Sequence, residues 1–324
     1  MSDWPVSEWL PSTSTESLAA RAELLQALRQ FFSDRGVMEV ETPLLSQGTV
    51  PDAGIDVFRF PGEGDGPDRY LQTSPESAMK RLLAAGFGDI FQICKAFRQG
   101  EAGRHHNPEF TLLEWYRVGW DHAALMREVA EVLTIALSAD GWQVWPYRAL
   151  FVELLGVDPM DEQTALTTLA DLAHARIGAV PDGLDRDAVL DLLMSHCIEP
   201  EISDWGVVFI TDFPPSQAAM ARCAPVGDAE VAARFECYVN GKELANGYWE
   251  QIDPEALATQ LHAENTRRKH RGLPQRPIDE RLLAAHRHGL PACAGVALGV
   301  DRLLALKLGV GSLTETISFG WDRA

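Results

Sequence analysis

Leu18, Leu25, Leu28 and Phe32 recur at helical spacing across residues 17–33, and Thr13 followed by Glu16 reads as a capping box just before them. Gly36 stops that helix, and residues 37–45 run extended through Pro43. Residues 59–67 are a Gly/Pro/Asp loop, read as the tip of a surface hairpin. Ser74-Pro75-Glu76 predicts a second helix, with serine at the cap and proline at the first helical position, ending near Gly86. Two strands follow, over 90–98 and 111–118, joined by a polar loop over 99–108, and then an amphipathic helix over 121–137. Residues 142–205 carry the pattern of two or three short helices without legible chemistry, and about 140–205 is read as an insertion. A buried strand is predicted over 207–211. Segments 235–239 and 242–250 flank Asn240-Gly241, the strongest two-residue hairpin signal. Asp253-Pro254 opens a helix reaching about Arg271, a strand covers 292–298, and a helix covers 299–308. Mostly antiparallel strands with interspersed helices predict an α+β fold. The expected organisation is a short extension over 1–16 and one domain over 17–324, with no internal repeat.

Composition narrows the function classes. The chain has 324 residues, 46% hydrophobic and 23% charged, which is ordinary for a soluble protein. No stretch approaches the roughly 18–20 apolar residues needed to span a bilayer, so no membrane role is expected. The first fifteen residues carry Trp4, Pro5, Trp9 and Pro11 without a basic start or an apolar run, and do not read as a signal peptide. Cys94, Cys197, Cys223, Cys237 and Cys293 are odd in number, scattered and never in a C-x-x-C pair. They argue against a disulfide framework or a zinc site and for a reducing cytoplasm. Lys plus Arg is 28 against 47 Asp plus Glu, a net charge of −19. Phosphate backbones are bound by basic surface, so this is no general nucleic-acid binder, although a local basic pocket for a nucleotide is allowed.

Candidate chemistry lies on the strands. Residues two apart in a strand share a face, so Asn246, Tyr248 and Glu250 project together, as do Glu114 and Tyr116. Two strands sharing a carboxylate-plus-tyrosine pairing suggest a lined cleft; the bland alternative is a solvent-facing sheet. With a two-residue loop, Val239 faces Lys242 and Tyr238 faces Glu243, which sets Glu236 diagonal to Glu243. Such a pair suits Mg2+, while two solvated glutamates paired with lysine is the other reading. Glu243 and Asn246 are three apart, so both serve one site only if the strand bulges or bends, with Gly247 the candidate position. Arg98, Arg104, His105, His106 and Arg302 supply positive charge, and arginine can hold phosphate oxygens bidentately. Residues 294–302 form a small-residue strand running into a helix.

Together these segments resemble the three motifs of the class II aminoacyl-tRNA synthetase family. Residues 36–45 resemble motif 1, Phe97-Arg98 through Phe110 motif 2, and Gly295 to Arg302 motif 3. The likeness is strongest to the lysine-specific members, through Asn107-Pro108-Glu109-Phe110-Thr111 and Glu243-Leu244-Ala245-Asn246-Gly247. It implies a class II catalytic core, with an antiparallel sheet flanked by helices, and a homodimer formed through motif 1. It implies ATP and Mg2+ as cofactors. Arg98 would meet the α-phosphate and carboxylate and His106 the γ-phosphate; Phe110 would stack on adenine, with Arg302 on its other side. Arg98, His106 and Arg302 are thereby the catalytic candidates, with Glu101, Asn107 and Glu243 also at the nucleotide. Glu236 and Glu243 match the metal ligands, and Glu76, Glu114, Tyr116, Asn246, Tyr248 and Glu250 the lysine pocket, joined by Ser74 and Ala297. A substrate with two ammonium groups needs such an acidic lining.

Four departures sharpen the resemblance. The sequence ahead of Gly36 leaves no room for an anticodon-binding domain; Gly100 stands where motif 2 has its glutamate, with Glu101 beside it; Ala297 replaces a motif 3 glycine; and Ser74 precedes Pro75-Glu76 where alanine is usual. These features resemble the stand-alone branch of the family that attaches (R)-β-lysine to elongation factor P. The resemblance therefore implies (R)-β-lysine or lysine as substrate, elongation factor P as partner, a cytoplasmic location and no stable tRNA binding. Two other readings stay open: a minimal lysyl-tRNA synthetase or other class II amino-acid-activating enzyme, and a non-enzymatic regulatory protein with a degenerate synthetase fold. The second is expected to lose the phosphate arginines, yet Arg98 and Arg302 stand.

Overall fold

The computed structural model describes residues 9–64, 66–161, 163–181 and 183–324. The reading of residues 1–16 as an extension lies partly outside these residues. What is described of it is docked, with Ser12 N donating to Ser318 O and the Thr13 hydroxyl to Glu315 O.

Helix α1 (Thr15–Ser33) begins one residue later than the capping box predicts, because Ser14, not Thr13, caps it and accepts from Ser17 N at 3.2 Å. The extended segment after it is paired only at β1 (Met38–Glu39) and β2 (Leu45–Ser46). β3 (Arg59–Phe60) and β4 (Arg69–Leu71) make the expected hairpin, which with β2 forms a small separate sheet. Helix α2 (Glu76–Ala84) starts at Glu76 rather than Pro75. Pro75 takes the cap position, and the Ser74 hydroxyl reaches past it to accept Glu76 N at 3.4 Å. β5 (Ile90–Phe97), β6 (Glu109–Val118) and α3 (His122–Leu137) follow as predicted, with Asp121 capping α3.

The segment read as an insertion supplies more than helices. It opens with β7 (Gln143–Pro146), which joins the main sheet, and then packs α4 (Tyr147–Leu155), α5 (Leu166–Ile177), α6 (Arg186–Leu193), a π-helical turn (Met194–Ile198) and α7 (Glu199–Glu201). β7 escapes the pattern because Gln143, Val144, Trp145 and Pro146 are too short a run to show a period, and proline belongs to a sheet edge. β8 (Val207–Phe213), β9 (Cys223–Val226), β10 (Ala229–Val239), β11 (Lys242–Trp249), α8 (Pro254–His270), α9 (Glu280–Gly289), β12 (Cys293–Gly299) and α10 (Val300–Leu308) complete the chain. α9 has no counterpart in the pattern reading, since only Leu282, Leu283 and His286 bury one short face of it.

Among the described residues the main sheet has nine strands, ordered β1-β5-β6-β12-β11-β10-β8-β7, with β9 on β10. The middle is antiparallel as expected; only the edge strands β1 and β7 pair in parallel. One face carries Leu113 and Trp115 of β6, Ala245 of β11, and Val296 and Leu298 of β12. These pack under α1, α3 and α10 through Phe32, Val129 and Leu303 in one core. Alternation sends Glu114, Tyr116, Asn246, Tyr248 and Ala297 to the opposite face, which is open. Farther along that same face, Val208 and Ile210 of β8 pack on Tyr147, Leu190 and Ile198 of the insertion, which has its own core.

A buried ion network ties the front of the sheet to its helices. Arg21 of α1 donates to Asp301 of α10 at 2.6 Å and to the Thr111 hydroxyl at 2.7 Å, while the other Asp301 oxygen accepts Thr111 N. Arg21→Met leaves Asp301 buried without its cation, a loss of roughly 3–5 kcal/mol. A urea midpoint unchanged by this substitution contradicts the network's role.

Candidate active site

The hairpin of β10 and β11 turns at Asn240 and Gly241, both in the left-handed region at φ 51° and 70°. Val239 pairs Lys242 and Tyr238 pairs Glu243, as the two-residue loop demands. The register then shifts: Cys237 pairs Ala245 and Glu236 pairs Asn246. Leu244 is thus the extra residue of a β-bulge. The bulge resets the parity and turns Glu243 and Asn246 into the same cavity. The bend required between them therefore lies at Leu244, not at Gly247, through which pairing runs regularly.

A cavity of about 410 Å³ opens on the polar face of the sheet. It brings together Ser74, Glu76, Arg98, Glu101, His105, His106, Asn107, Phe110, Glu114, Tyr116, Glu236, Glu243, Asn246, Tyr248, Glu250, Ala297 and Arg302. Arg104 does not line it and donates instead to the Gly311 carbonyl at 2.7 Å. Val50, Ile55 and Leu261 give it an apolar wall.

One end is basic. Arg302 donates to the His106 ring at Nε2 (2.8 Å) and to the Glu243 carbonyl (2.7 Å). Burial first, and then the Arg302 charge, hold the His106 imidazole below its usual range, consistent with a neutral ring accepting that bond. The Arg98 guanidinium lies over the Phe110 ring, 5.1 Å from its centroid, and 3.9 Å from Glu101. Asn107 reaches the wall with its amide already committed, donating to Glu109 O at 2.6 Å and accepting Trp321 N at 3.0 Å.

The other end is acidic and buried. Glu114, Tyr116 and Glu250 are buried, and the Tyr116 hydroxyl donates to Glu114 at 2.8 Å. Gly295 makes this floor possible: a Cβ there would lie 2.2 Å from the Tyr116 ring and 2.6 Å from Glu250 Oε1. Burial, with Glu76 adding repulsion, pushes the Glu114 carboxyl well above the usual range. Burial likewise pushes Glu250 up to about 8, against the opposing pull of Lys80. Glu114 Oε2 and Glu250 Oε1 have no hydrogen-bond partner among the described residues.

Between the two ends lie Glu236 and Glu243. Glu236 accepts from Arg234 (2.5 Å) and from the Tyr238 hydroxyl (2.6 Å), so its oxygens are already engaged, whereas Glu243 is more open. Arg234 also donates to Asn246 Oδ1 at 3.2 Å. Glu199 of α7 completes the acidic group, its carboxyl pushed up to about 7 by burial and by Glu243 and Glu236. The donors are all oxygen and repel one another, which fits a divalent cation. No group of three His, Cys, Asp or Glu among the described residues is arranged to hold a metal alone. That suits an ion such as Mg2+, which takes one or two carboxylates and fills its other positions with phosphate and water.

Four working residues escaped the sequence. Lys80 stands four residues after Glu76 on the predicted helix, and Arg234 two before Glu236 on its strand. Both spacings were readable, but long basic side chains are exposed by default. Arg21 and Glu199 meet their partners across 280 and about 40 residues, and no local pattern marks them.

Residues 8–323 match the family of class II tRNA synthetases (D, K and N). The chain belongs to that family. Within it, proteins named elongation factor P–(R)-β-lysine ligase are similar to this synthetase-family chain along nearly its whole length. One from Pectobacterium carotovorum is 46% identical over 98% of both chains. One from Vibrio cholerae is 45% identical over 98% of this chain and 99% of its own, and one from Edwardsiella ictaluri 46% over all of both.

The acidic floor predicts a pH signature. The Glu114 carboxyl, held well above its usual range by burial and by Glu76, must lose its proton to pair with an ammonium group. Binding of lysine at pH 7 should release protons, and the release should fade as the pH rises through the raised carboxyl pKa, above which the group is already ionised. Titration calorimetry in buffers of different ionisation enthalpy reads this directly. Heats independent of buffer at pH 7 contradict it.

Proposed function

We propose that this class II synthetase-family chain activates (R)-β-lysine with ATP and transfers it to a lysine side chain of elongation factor P. The observation that carries the reading is the polarity of the cavity, with a basic end and a buried acidic end in one volume. The acidic end suits two ammonium groups and the basic end suits phosphates and a carboxylate. The names of the full-length relatives supply the β-amino acid and the acceptor.

In the first step a carboxylate oxygen of the amino acid attacks the α-phosphorus of ATP. The bond from that phosphorus to the β-bridging oxygen breaks, pyrophosphate leaves, and an aminoacyl-adenylate forms. In the second, the neutral ε-amine of the acceptor lysine attacks the adenylate carbonyl. The carbonyl–phosphate bond breaks, AMP leaves with its electron pair, and the amine gives up one proton. Arg98 holds the carboxylate and α-phosphate together, His106 holds the γ-phosphate, and Arg302 covers the nucleotide on the side opposite Phe110. Their work is alignment and the neutralisation of developing charge. Phe110 supplies a face for adenine, with Glu101 and Asn107 beside it. Glu236 and Glu243 would hold Mg2+, which would supply neutralisation of phosphate charge. Glu114, Tyr116, Asn246, Tyr248 and Glu250 hold the diamino acid, with Ser74, Glu76 and Ala297 at its edge. Met38, Leu44 and Leu45 stand exposed on the motif 1 segment and suit a homodimer. The charge of −19 disfavours stable tRNA binding, and a cytoplasmic location suits the acceptor. No helix among the described residues is long and apolar enough to cross a membrane.

ATP–pyrophosphate exchange tests the first step. The wild type should exchange with (R)-β-lysine in preference to α-lysine and not with asparagine; exchange confined to asparagine removes the reading. Arg98→Ala should lower exchange by about 10²–10³-fold with the fold intact, and wild-type exchange in that variant removes the phosphate assignment. Glu250→Gln should weaken amino-acid binding about 30-fold or more while sparing ATP. Equal losses for both ligands mean that the pocket is misplaced.

A further inference from the structure

Lys80 has no place in the roles assigned above, yet it is the most enclosed cation beside the cavity. It rises from α2 into the floor of the acidic end and is fully buried. Its Nζ lies 2.5 Å from Glu76 Oε1 and 2.6 Å from Glu250 Oε2. The second contact joins two side chains that are each only 1% exposed. The other groups facing this spot leave the balance to Lys80. Glu114 and Tyr116 of β6 add a carboxyl and a neutral phenol, and Arg222 reaches Glu250 only at its backbone carbonyl, at 3.0 Å. His286 of α9 donates from Nδ1 to Leu282 O and is held neutral by burial, and Cys293 of β12 is a buried thiol kept protonated.

Three carboxyl groups thus meet one ammonium, which leaves two negative charges unmatched when all are ionised. Among the described residues Glu114 Oε2 and both Glu250 oxygens accept no hydrogen bond; Glu250 Oε2 meets Lys80 as an ion pair, while Glu114 Oε2 and Glu250 Oε1 are left to a ligand. We propose that Lys80 is the positioning residue of the amino-acid pocket. It is a resident ammonium that locks Glu76 and Glu250 in place and sets the floor's charge to match a ligand carrying two ammonium groups. The proposal rests on reading the cavity as a diamino-acid site. Without Lys80, the floor either takes up a proton or draws the ligand's own ammonium into the vacated position, pulling its carboxylate away from Arg98. Both outcomes weaken amino-acid binding and leave the nucleotide end untouched. Neutralising Glu76 at the same time removes the reason for the defect.

The test is a four-protein cycle of wild type, Lys80→Met, Glu76→Gln and the double variant. Exchange kinetics are measured with (R)-β-lysine and α-lysine, together with melting temperatures. Lys80→Met should raise the amino-acid KM at least tenfold with the ATP KM within twofold. In the Glu76→Gln background the same substitution should raise it less than threefold. An equal rise in both backgrounds, an unchanged amino-acid KM, or a parallel rise in the ATP KM overturns the proposal, because each means Lys80 acts through packing or not at all. A Lys80→Met protein that fails to fold supports the charge role if the double variant folds, and overturns it if neither does. A wild type that exchanges with no diamino acid removes the reading of the cavity and this proposal with it. Wild-type exchange with additive Lys80 effects removes the proposal alone.

Discussion

Alternation along three central strands is the constraint on which everything else hangs. β6, β11 and β12 each place apolar side chains on one face, where α1, α3 and α10 cover them, and polar side chains on the other. The sheet can therefore be core and active-site floor at once, with a single layer of backbone between them. The arrangement tolerates no slip, since a one-residue change of register would bury Glu114 among leucines and send Trp115 into the cavity. Within β11 the rule is broken by the bulge at Leu244. It is broken where Glu243 and Asn246 must face the same way.

The second theme is charge held out of water. An isolated buried carboxylate is too costly to keep ionised, so each one here is paired, protonated or awaiting a partner. Glu236 has Arg234 and Tyr238, Asp301 has Arg21, and Glu250 shares Lys80 with Glu76. Glu114 has only a tyrosine hydroxyl and keeps an open oxygen. The cavity is thus strained electrostatically in a defined sense, and a ligand with separated positive charges relieves the strain. At the opposite end the sign reverses, with Arg98, Arg302 and neutral His106 arranged for anions.

Much of this was legible because it depends on short-range pattern. The Asn240-Gly241 turn, the strand faces of Glu114/Tyr116 and Asn246/Tyr248/Glu250, and the helix starts at Asp121 and Asp253 all follow from local rules. The family motifs supplied the long-range assembly that local rules do not. What stayed hidden has physical reasons. A bulge leaves no mark when its extra residue is an ordinary leucine, whereas Gly247 offers a permissive backbone and so draws the expectation of a bend. The strand β7 is too short for its period to register. Lys80 and Arg234 pass unmarked because nothing local distinguishes a buried cation from an exposed one; only the carboxylates around them do.

The central claim is that one chain couples amino-acid activation to a protein acceptor. Its most direct test is intact-mass spectrometry of purified elongation factor P after incubation with this protein, ATP and (R)-β-lysine, beside a parallel incubation with tRNA. The account predicts that elongation factor P gains the mass of one β-lysine less one water, on a single lysine and only with ATP, while the tRNA stays uncharged. Charged tRNA with unmodified elongation factor P would contradict it.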